Sequence, residues 1–142
     1  MKTLRSIFFL SLCLLLSVAG YAGDKASFLK KQFTARDGYQ LNYRVLYPRD
    51  YNPAQKYPVI LFLHGAGERG SDNEAQLVHG GDMFASFENQ TKYPAIIIAP
   101  QCPAEKTWSE YKGLNAGKEG KRFYPLNAPA TQSMAADKEL LD

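Results

Sequence analysis

The sequence predicts an α/β fold in which an N-terminal antiparallel hairpin leads into a parallel sheet with flanking helices. Two short apolar runs, residues 58–63 and 94–99, begin at prolines and are rich in β-branched residues. Such runs are typical of strands buried on both faces. Helix signals lie between them, so the segment predicts a right-handed βαβ unit. Residues 39–47 alternate aromatic or apolar with polar residues, which predicts a half-buried antiparallel strand before this unit.

The N-terminus predicts a secretory signal peptide over residues 1–22. A basic start is followed by an apolar run at residues 7–18, and Gly20 and Ala22 are the small residues that a signal peptidase recognises. The apolar run is too short for a membrane span with these flanks. We therefore expect cleavage after Ala22, a mature domain over residues 23–142, and a secreted or periplasmic protein.

Charge and cysteine content exclude several classes of partner. The chain has 17 basic and 14 acidic residues, and loss of Lys2 and Arg5 with the signal leaves a net charge of +1. This balance provides no basic surface for nucleic acid, and we expect no membrane span after signal cleavage. Cys13 lies in the signal, so Cys102 remains alone and neither an internal disulfide nor a cysteine metal cluster is expected.

Turn and cap signals predict the elements around the two apolar strands. The Asp-Gly pair at 37–38 predicts a tight two-residue turn after a weak strand at residues 32–36. Ser71, with Glu74 three residues later, is a capping-box pattern that predicts a helix start. That helix should end at the two glycines at 80–81, because glycine is the usual residue after a helix.

Two further helices are expected. Asp82 should cap a short helix that carries Met83, Phe84 and Phe87 on one side. A long loop over residues 101–130 separates this region from a final helix at residues 131–142. The residues expected to share one face of the final helix are Met134, Ala135, Lys138 (through its stem) and Leu141.

The motif after the first apolar strand carries a resemblance. Residues 58–73 read PVILFLHGAGERGSDN, and glycines directly after a buried strand leave backbone N–H groups free to meet a ligand. Together with IIIAPQCP at residues 96–103 and with Trp108, this motif resembles secreted serine esterases of the α/β-hydrolase fold, of the phospholipase/carboxylesterase or polyester-depolymerase type. The resemblance implies hydrolysis of small-molecule or polymer-linked carboxylic esters, without a cofactor or a metal.

The resemblance also assigns site residues. It implies that the backbone N–H of Ala66 or Gly67 supplies one donor of an oxyanion hole, which stabilises the negative charge of an acyl-transfer transition state. Trp108 would line the acyl pocket or simply pack in the core. His64 is interpreted as a structural residue rather than the catalytic base, because the family's catalytic histidine lies near the C-terminus. The residues expected to support the loop are His64, Gly65, Glu68, Arg69, Asp72 and Asn73.

The rest of the family's catalytic machinery has no counterpart here. The G-x-S-x-G elbow that holds the nucleophile does not occur in the sequence, and the acid and histidine would follow that elbow. The final helix also lacks a glycine stop, and Asp142 opposes the helix dipole. Because the strand at 58–63 would lack a neighbour, we expect an open apolar edge and interpret the chain as the N-terminal part of a longer hydrolase, truncated before the elbow.

Two other interpretations stay open. Residues 65–70 match the dinucleotide fingerprint G-x-G-x-x-G, although the helix is expected only after the last glycine and no acidic residue follows the second strand. A secreted, non-catalytic binding module is the other alternative. Its candidate sugar-binding residues in the long loop are Trp108, Tyr111, Phe123 and Tyr124.

Overall fold

The computed structural model describes residues 24–109 and 127–142 completely and residues 112–113 and 122–123 by their backbone. The predicted signal peptide therefore lies outside the described residues. In the described part of the chain, none of the helices has the length and apolar character needed to cross a bilayer.

A mixed four-stranded sheet in the order β1-β2-β4-β3 forms the centre of the fold. β1 (Leu29–Thr34) and β2 (Gln40–Leu46) form an antiparallel hairpin. β4 (Ile96–Pro100) lies antiparallel to β2 and parallel to β3 (Val59–Leu61). The sequence-based prediction of a hairpin that leads into a parallel strand pair is confirmed. A second, two-stranded ladder joins β5 (Lys112–Gly113) to β6 (Arg122–Phe123).

The turn between β1 and β2 is longer than predicted. The Ala35 N–H donates to the Tyr39 carbonyl at 2.8 Å, and the Gly38 N–H donates to the Ala35 carbonyl at 2.9 Å. Gly38 has φ +83°, a left-handed conformation that glycine adopts without strain. This is the common three-residue loop, in which a type I turn is followed by a left-handed residue. The Asp-Gly signal located the turn, but the two-residue length was wrong.

Short helical pieces connect β3 to β4 instead of the predicted first helix. A 3₁₀ turn at Ala75–Leu77 is followed by α1 (Gly81–Ala85) and α2 (Phe87–Lys92). The expected helix from Ser71 does not form. Gly80, with φ +95°, turns the chain into α1 instead of ending a helix.

Asp72, and not Ser71, caps the turn that follows the glycine loop. Its Oδ1 accepts hydrogen bonds from the N–H groups of Glu74 (2.8 Å) and Ala75 (3.0 Å). The capping-box pattern predicted the cap one residue too early, at Ser71. Asp72 lies nearer to the N–H groups of Glu74 and Ala75 and accepts from both.

The apolar residues of the connection do not share one side as predicted. Phe84 packs on the core, but Met83 is 53% exposed and Phe87 is 46% exposed. The reason is a break at Ser86, which ends α1 and whose Oγ accepts from the Asn89 N–H to cap α2. Phe87 therefore begins a new helix and no longer continues the periodicity of α1.

Apolar clusters cover both faces of the sheet. The larger cluster lies against the 3₁₀ turn and α1, and the smaller one lies beneath α3 (Gln132–Leu141). The larger cluster consists of Phe28, Leu46, Leu77, Ala95, Ile97 and Ala99. The smaller cluster consists of Ala35, Leu41 and Ala136, with Phe33, Tyr39 and Leu140 packed against it.

The final helix forms as predicted but turns a different face inward. Thr131 caps it by accepting from the Met134 N–H at 3.2 Å. Ser133, Ala136 and Asp137 are its buried residues, whereas Leu141 is 45% exposed. The predicted face of Met134, Lys138 and Leu141 was wrong because two polar residues, Ser133 and Asp137, occupy the inward positions.

The strand predicted to be buried on both faces lies at the edge of the sheet. β3 pairs only with β4 among the described residues, and Val59 and Ile60 are 52% and 39% exposed. The prediction of two-sided burial was wrong in this chain, while the expected open apolar edge is present. Unpaired N–H and C=O groups beside apolar side chains favour pairing with another chain.

We therefore expect residues 23–142, when expressed alone, to associate through β3. Gel filtration should show species larger than a monomer, and Val59→Lys should shift them toward the monomer because a charge on an edge strand disfavours pairing. Val78→Lys is the matched control, since Val78 is 56% exposed and lies outside the sheet. A sharp monomer peak for the unmodified chain would contradict this expectation.

The carboxyl group of Asp137 is buried beneath α3 away from water. It is 0% exposed, and neither of its oxygens has a hydrogen-bond partner among the residues that the structure describes. This desolvation raises its pKa from 3.8 to about 7. Because the pKa is higher in the folded chain than in the unfolded chain, protonated Asp137 favours the fold. That contribution is complete at pH values below about 4 and is lost as the pH rises through about 7.

Asp137→Asn should therefore gain stability relative to the unmodified chain as the pH rises. We expect the difference in the free energy of unfolding to change by a few kcal/mol between pH 4 and pH 8, on the order of 1.4 kcal/mol per pKa unit. Urea titrations at several pH values would measure it. Asp142→Asn is the control, because Asp142 is exposed on the same helix. An unchanged pH dependence in Asp137→Asn would contradict the assignment.

Candidate functional site

The segments after β3 and β4 meet at one edge of the sheet. The Gly70 N–H donates to the Cys102 carbonyl at 3.0 Å, which joins the glycine loop after β3 to the segment after β4. The Gln101 N–H donates to the Asn42 carbonyl at 2.8 Å and ties the same segment to β2. The carboxyl ends of parallel strands are the edge at which open α/β sheets bind ligands.

The predicted oxyanion residues begin a 3₁₀ turn on the surface. The turn covers Ala66–Glu68, and the N–H groups of Ala66 and Gly67 have no hydrogen-bond acceptor within the described part of the chain. Both residues are exposed. The space around a Cβ at Gly67 is open, whereas a Cβ at Gly65 would lie 3.0 Å from Glu68 Oε2. Both N–H groups are therefore accessible to a ligand.

The ring of His64 is engaged on both nitrogens. Nε2 accepts from the Cys102 N–H at 3.0 Å, and Nδ1 lies 2.6 Å from the Gly65 carbonyl. An acceptor at Nε2 assigns the ring proton to Nδ1, which then donates to Gly65. His64 is 5% exposed. A base needs a free nitrogen within reach of a substrate, so this arrangement favours the structural interpretation over the catalytic one.

Trp108 lies directly beside the glycine loop. Its Nε1–H donates to the His64 carbonyl at 3.0 Å, and its ring meets the His64 ring edge-to-face at 5.1 Å. Thr131, the cap of α3, donates to the Trp108 carbonyl at 3.0 Å. Trp108 therefore links the loop to α3, and its half-buried ring borders the same edge of the sheet.

Arg69 and Glu68 hold the loop from outside. Arg69 Nε donates to the Ala66 carbonyl at 2.9 Å, and its Nη1 donates to the Lys106 carbonyl at 3.0 Å. Glu68 Oε1 lies 3.5 Å from Nε2 of the exposed His79. This contact connects the loop to the segment that precedes α1.

Asn73 joins the loop to the hairpin. Its backbone has φ +55°, a left-handed conformation that asparagine tolerates better than most residues. Its Nδ2 lies 3.2 Å from the carbonyls of both Lys31 and Tyr43, and its own carbonyl accepts from Arg44 Nε at 2.6 Å. Buried Arg44 therefore fixes the end of the loop through its side chain.

Gln101 is the site residue that the sequence analysis missed. It is 2% exposed, and its Oε1 accepts from the Asn73 N–H at 2.7 Å. Its Nε2 donates to Asp72 Oδ1 at 2.7 Å and to the Glu68 carbonyl at 3.3 Å. The Gln101 amide thus bonds both Glu68 and Asn73, the two ends of residues 68–73. Its position in the sequence could have indicated this role, because a glutamine that directly follows a buried apolar strand needs hydrogen-bond partners for its amide.

Asp72 accepts three hydrogen bonds at Oδ1. The backbone N–H groups of Ala75 and Glu74 and the amide of Gln101 donate to its carboxylate and hold its pKa below the usual value. The negative charge is therefore retained at neutral pH and serves to fix the turn. Each predicted loop-support residue thus has a contact within the loop or with a residue packed against it.

A second polar group lies behind the loop, under α3. The Ser133 hydroxyl lies 3.0 Å from the Tyr39 hydroxyl and 3.8 Å from the Cys102 sulfur. Cys102 is buried, and desolvation raises the pKa of its thiol. A protonated, inaccessible thiol is a poor nucleophile. Within the described residues, no cluster of His, Cys, Asp and Glu could hold a metal ion.

The geometry disfavours the dinucleotide interpretation. The glycines at 65–70 lead into a three-residue 3₁₀ turn, and the next described α-helix begins only at Gly81. The fingerprint requires a helix N-terminus at the glycines to hold the pyrophosphate. Among the aromatic residues proposed for a binding module, Trp108 braces the loop, whereas the side chains of Tyr111, Phe123 and Tyr124 lie outside the described residues.

Solved structures give the strongest comparison. A structure described as a thermostable esterase is 34% identical to this chain, with a TM-score of 0.65. The chain is similar to part of an esterase. The match covers 82% of this chain and 29% of that one, so the chain spans less than a third of the esterase. The predicted resemblance to esterases is confirmed to this extent.

A second structure is a CE1 ferulic acid esterase from the anaerobic fungus Anaeromyces mucronatus. It is 22% identical, has a TM-score of 0.43, and the match covers 63% of this chain and 34% of that one. This likeness is too low to support an argument. No protein-family model matches the chain, and no curated protein matches it.

Removal of the Gln101 amide should destabilise the chain without changing its volume greatly. Gln101→Leu would leave the Asn73 N–H, the Asp72 carboxylate and the Glu68 carbonyl without this partner, and we expect a loss of about 2–3 kcal/mol in the free energy of unfolding. Gln40→Leu, at an exposed position at the start of β2, should change it by less than about 0.5 kcal/mol. Urea titration would compare them, and equal effects would contradict the role of Gln101.

Proposed function

We propose that this chain is the N-terminal part of a secreted serine esterase of the α/β-hydrolase fold. The observation that carries the proposal is the braced turn at Ala66–Glu68, whose first N–H groups are accessible at the carboxyl edge of the parallel strands. The similarity of the chain to part of a thermostable esterase supports it. The proposal includes export, with cleavage of the signal peptide after Ala22.

The loop would act on the transition state of ester hydrolysis. When a serine hydroxyl attacks an ester carbonyl, the carbonyl oxygen becomes negatively charged. Preorganised N–H donors stabilise that charge, and one such donor is worth on the order of 10²–10³ in rate. Ala66 or Gly67 would supply a donor of this kind. The bonds from Arg69 and Gln101 to the loop would keep it in position before the charge develops.

The remaining groups of the reaction are not provided by residues 1–142. The family resemblance places the nucleophile in a G-x-S-x-G elbow, and it places the second oxyanion donor directly after the nucleophile. The acid and the base would follow in the same segment. The proposed substrates are small-molecule or polymer-linked carboxylic esters, and no cofactor is required for this chemistry.

Expression of the gene with any reading frame that continues past the codon for Asp142 would test the proposal. A frame that encodes G-x-S-x-G within a few tens of residues, and a product that hydrolyses a short-chain aryl ester, are expected. Residues 23–142 alone should have no activity. An extended product that is folded but inactive would overturn the esterase proposal and would favour the non-catalytic binding module.

In the extended product, Gly67→Val should lower kcat/KM on the order of 10²-fold. The fold should be kept, because the space around a Cβ at Gly67 is open and its φ is not positive. The added side chain would then interfere with the donor and not with packing. Ala54→Val, at an exposed loop position, is the control. Unchanged turnover in a folded Gly67→Val variant would remove the oxyanion assignment.

A further inference from the structure

Three tyrosines form a row on the surface after β2. The ring centroids of Tyr47 and Tyr51 are 4.6 Å apart, and those of Tyr51 and Tyr57 are 5.5 Å apart. Tyr47 is 37% exposed and Tyr51 is 41% exposed, while Tyr57 is half-buried. The row therefore presents aromatic surface to solvent instead of filling the core.

The loop that carries this row is held rigid by its own hydrogen bonds. The Tyr57 hydroxyl accepts from the Asn52 N–H at 3.1 Å and donates to Gln55 Oε1 at 2.9 Å. Asn52 Oδ1 accepts from the Ala54 N–H at 2.9 Å. The Tyr51 N–H donates to the Pro48 carbonyl, with a distance of 3.1 Å. A ligand would therefore meet a preorganised surface and would not have to order the loop.

A cavity with a mixed lining, in which Leu46, Ala85 and Phe87 supply apolar surface, adjoins the row. It has a volume of about 270 Å³, and its wall includes Tyr47. Its polar wall residues are Asp24, Ser27, Arg49 and Gln90. Asp24 Oδ1 already accepts from the Ala26 N–H and Gln90 Nε2 already donates to the Phe84 carbonyl, so Asp24 Oδ2, the Ser27 hydroxyl and the Arg49 guanidinium are the groups that can bond hydroxyls. The Arg49 guanidinium also lies 4.7 Å from the centroid of the Phe87 ring, which places its charged end at the border of the cavity. An aromatic platform thus lies beside groups of opposite charge.

We propose that the tyrosine row and this cavity bind a neutral polysaccharide. The C–H face of a sugar ring packs on aromatic rings, and carboxylate, guanidinium and hydroxyl groups bond its hydroxyls. Asp24 and Arg49 carry opposite charges, which suits a neutral chain better than an acidic one. A wholly apolar partner would leave Asp24 and Arg49 without compensation for the water they lose.

The proposed sugar site lies away from the glycine loop. β2 runs antiparallel to β4, so the end of β2 at Leu46 lies at the opposite edge of the sheet from Gln101. A polymer bound along the tyrosines would leave the Ala66–Glu68 turn uncovered. The proposal does not rest on ester hydrolysis, and its test can succeed or fail independently of that activity.

The test measures binding of the purified full chain to soluble arabinoxylan and to mixed-linkage β-glucan by isothermal titration calorimetry. We expect binding to at least one of them, and we expect Tyr51→Ala to weaken it about tenfold, or about 1.4 kcal/mol. Tyr51→Phe, which keeps the ring, should stay within about threefold of the unmodified chain. Polygalacturonate, the acidic comparison polymer, should bind more weakly than the neutral polymers.

Tyr93→Ala is the matched control. Tyr93 is 63% exposed and belongs to neither the row nor the cavity wall, so its removal should leave the affinity unchanged. Circular dichroism of each variant separates lost binding from lost folding, and Tyr51→Phe keeps the test decisive if Tyr51→Ala unfolds. Absence of binding to both neutral polymers, stronger binding to polygalacturonate, or equal losses in Tyr51→Ala and Tyr93→Ala would overturn the proposal.

Discussion

The amide of Gln101 is the interaction on which the candidate site depends most. It receives the Asn73 N–H and donates to Asp72 and to the Glu68 carbonyl. Gln101 follows β4 directly. These bonds therefore fix the glycine loop, which has little regular structure of its own, to a central strand of the sheet. The glycine loop can thus present N–H groups at its surface while its far side is fixed to the sheet.

Gln101 and Asp137 are both buried polar residues, but they differ in whether their polar atoms have hydrogen-bond partners. Every polar atom of the Gln101 side chain has a partner, so its burial adds rigidity at little net cost. Asp137 is buried just as deeply, but neither of its oxygens has a partner within the described part of the chain, and desolvation raises its pKa. The packing of α3 on the sheet is therefore favoured by protonation of Asp137, whereas the Asp72 carboxylate that fixes the glycine loop is held in its charged form.

The edges of the sheet have different chemistry. The carboxyl edge of β3 and β4 carries the glycine loop, with exposed N–H groups suited to a developing negative charge. The opposite edge carries the tyrosine row, whose aromatic surface and opposed charges suit a neutral, hydroxyl-rich ligand. The lateral edge at β3 is apolar and unpaired within the described chain. The glycine loop, the proposed sugar site and the apolar strand edge thus lie on separate surfaces of the described chain.

The sequence by itself predicted the strands of the four-stranded sheet and the glycine loop that follows β3. Apolar runs, the Asp-Gly turn and the glycines after β3 are local signals, and each of them specifies a backbone conformation within a few residues. Only the tertiary structure decided that β3 lies at an edge, that α3 turns Asp137 inward, and that Gln101 anchors the loop. These features depend on which strand neighbours which and on contacts between residues about 30 positions apart, such as Asn73 and Gln101, which local patterns cannot encode.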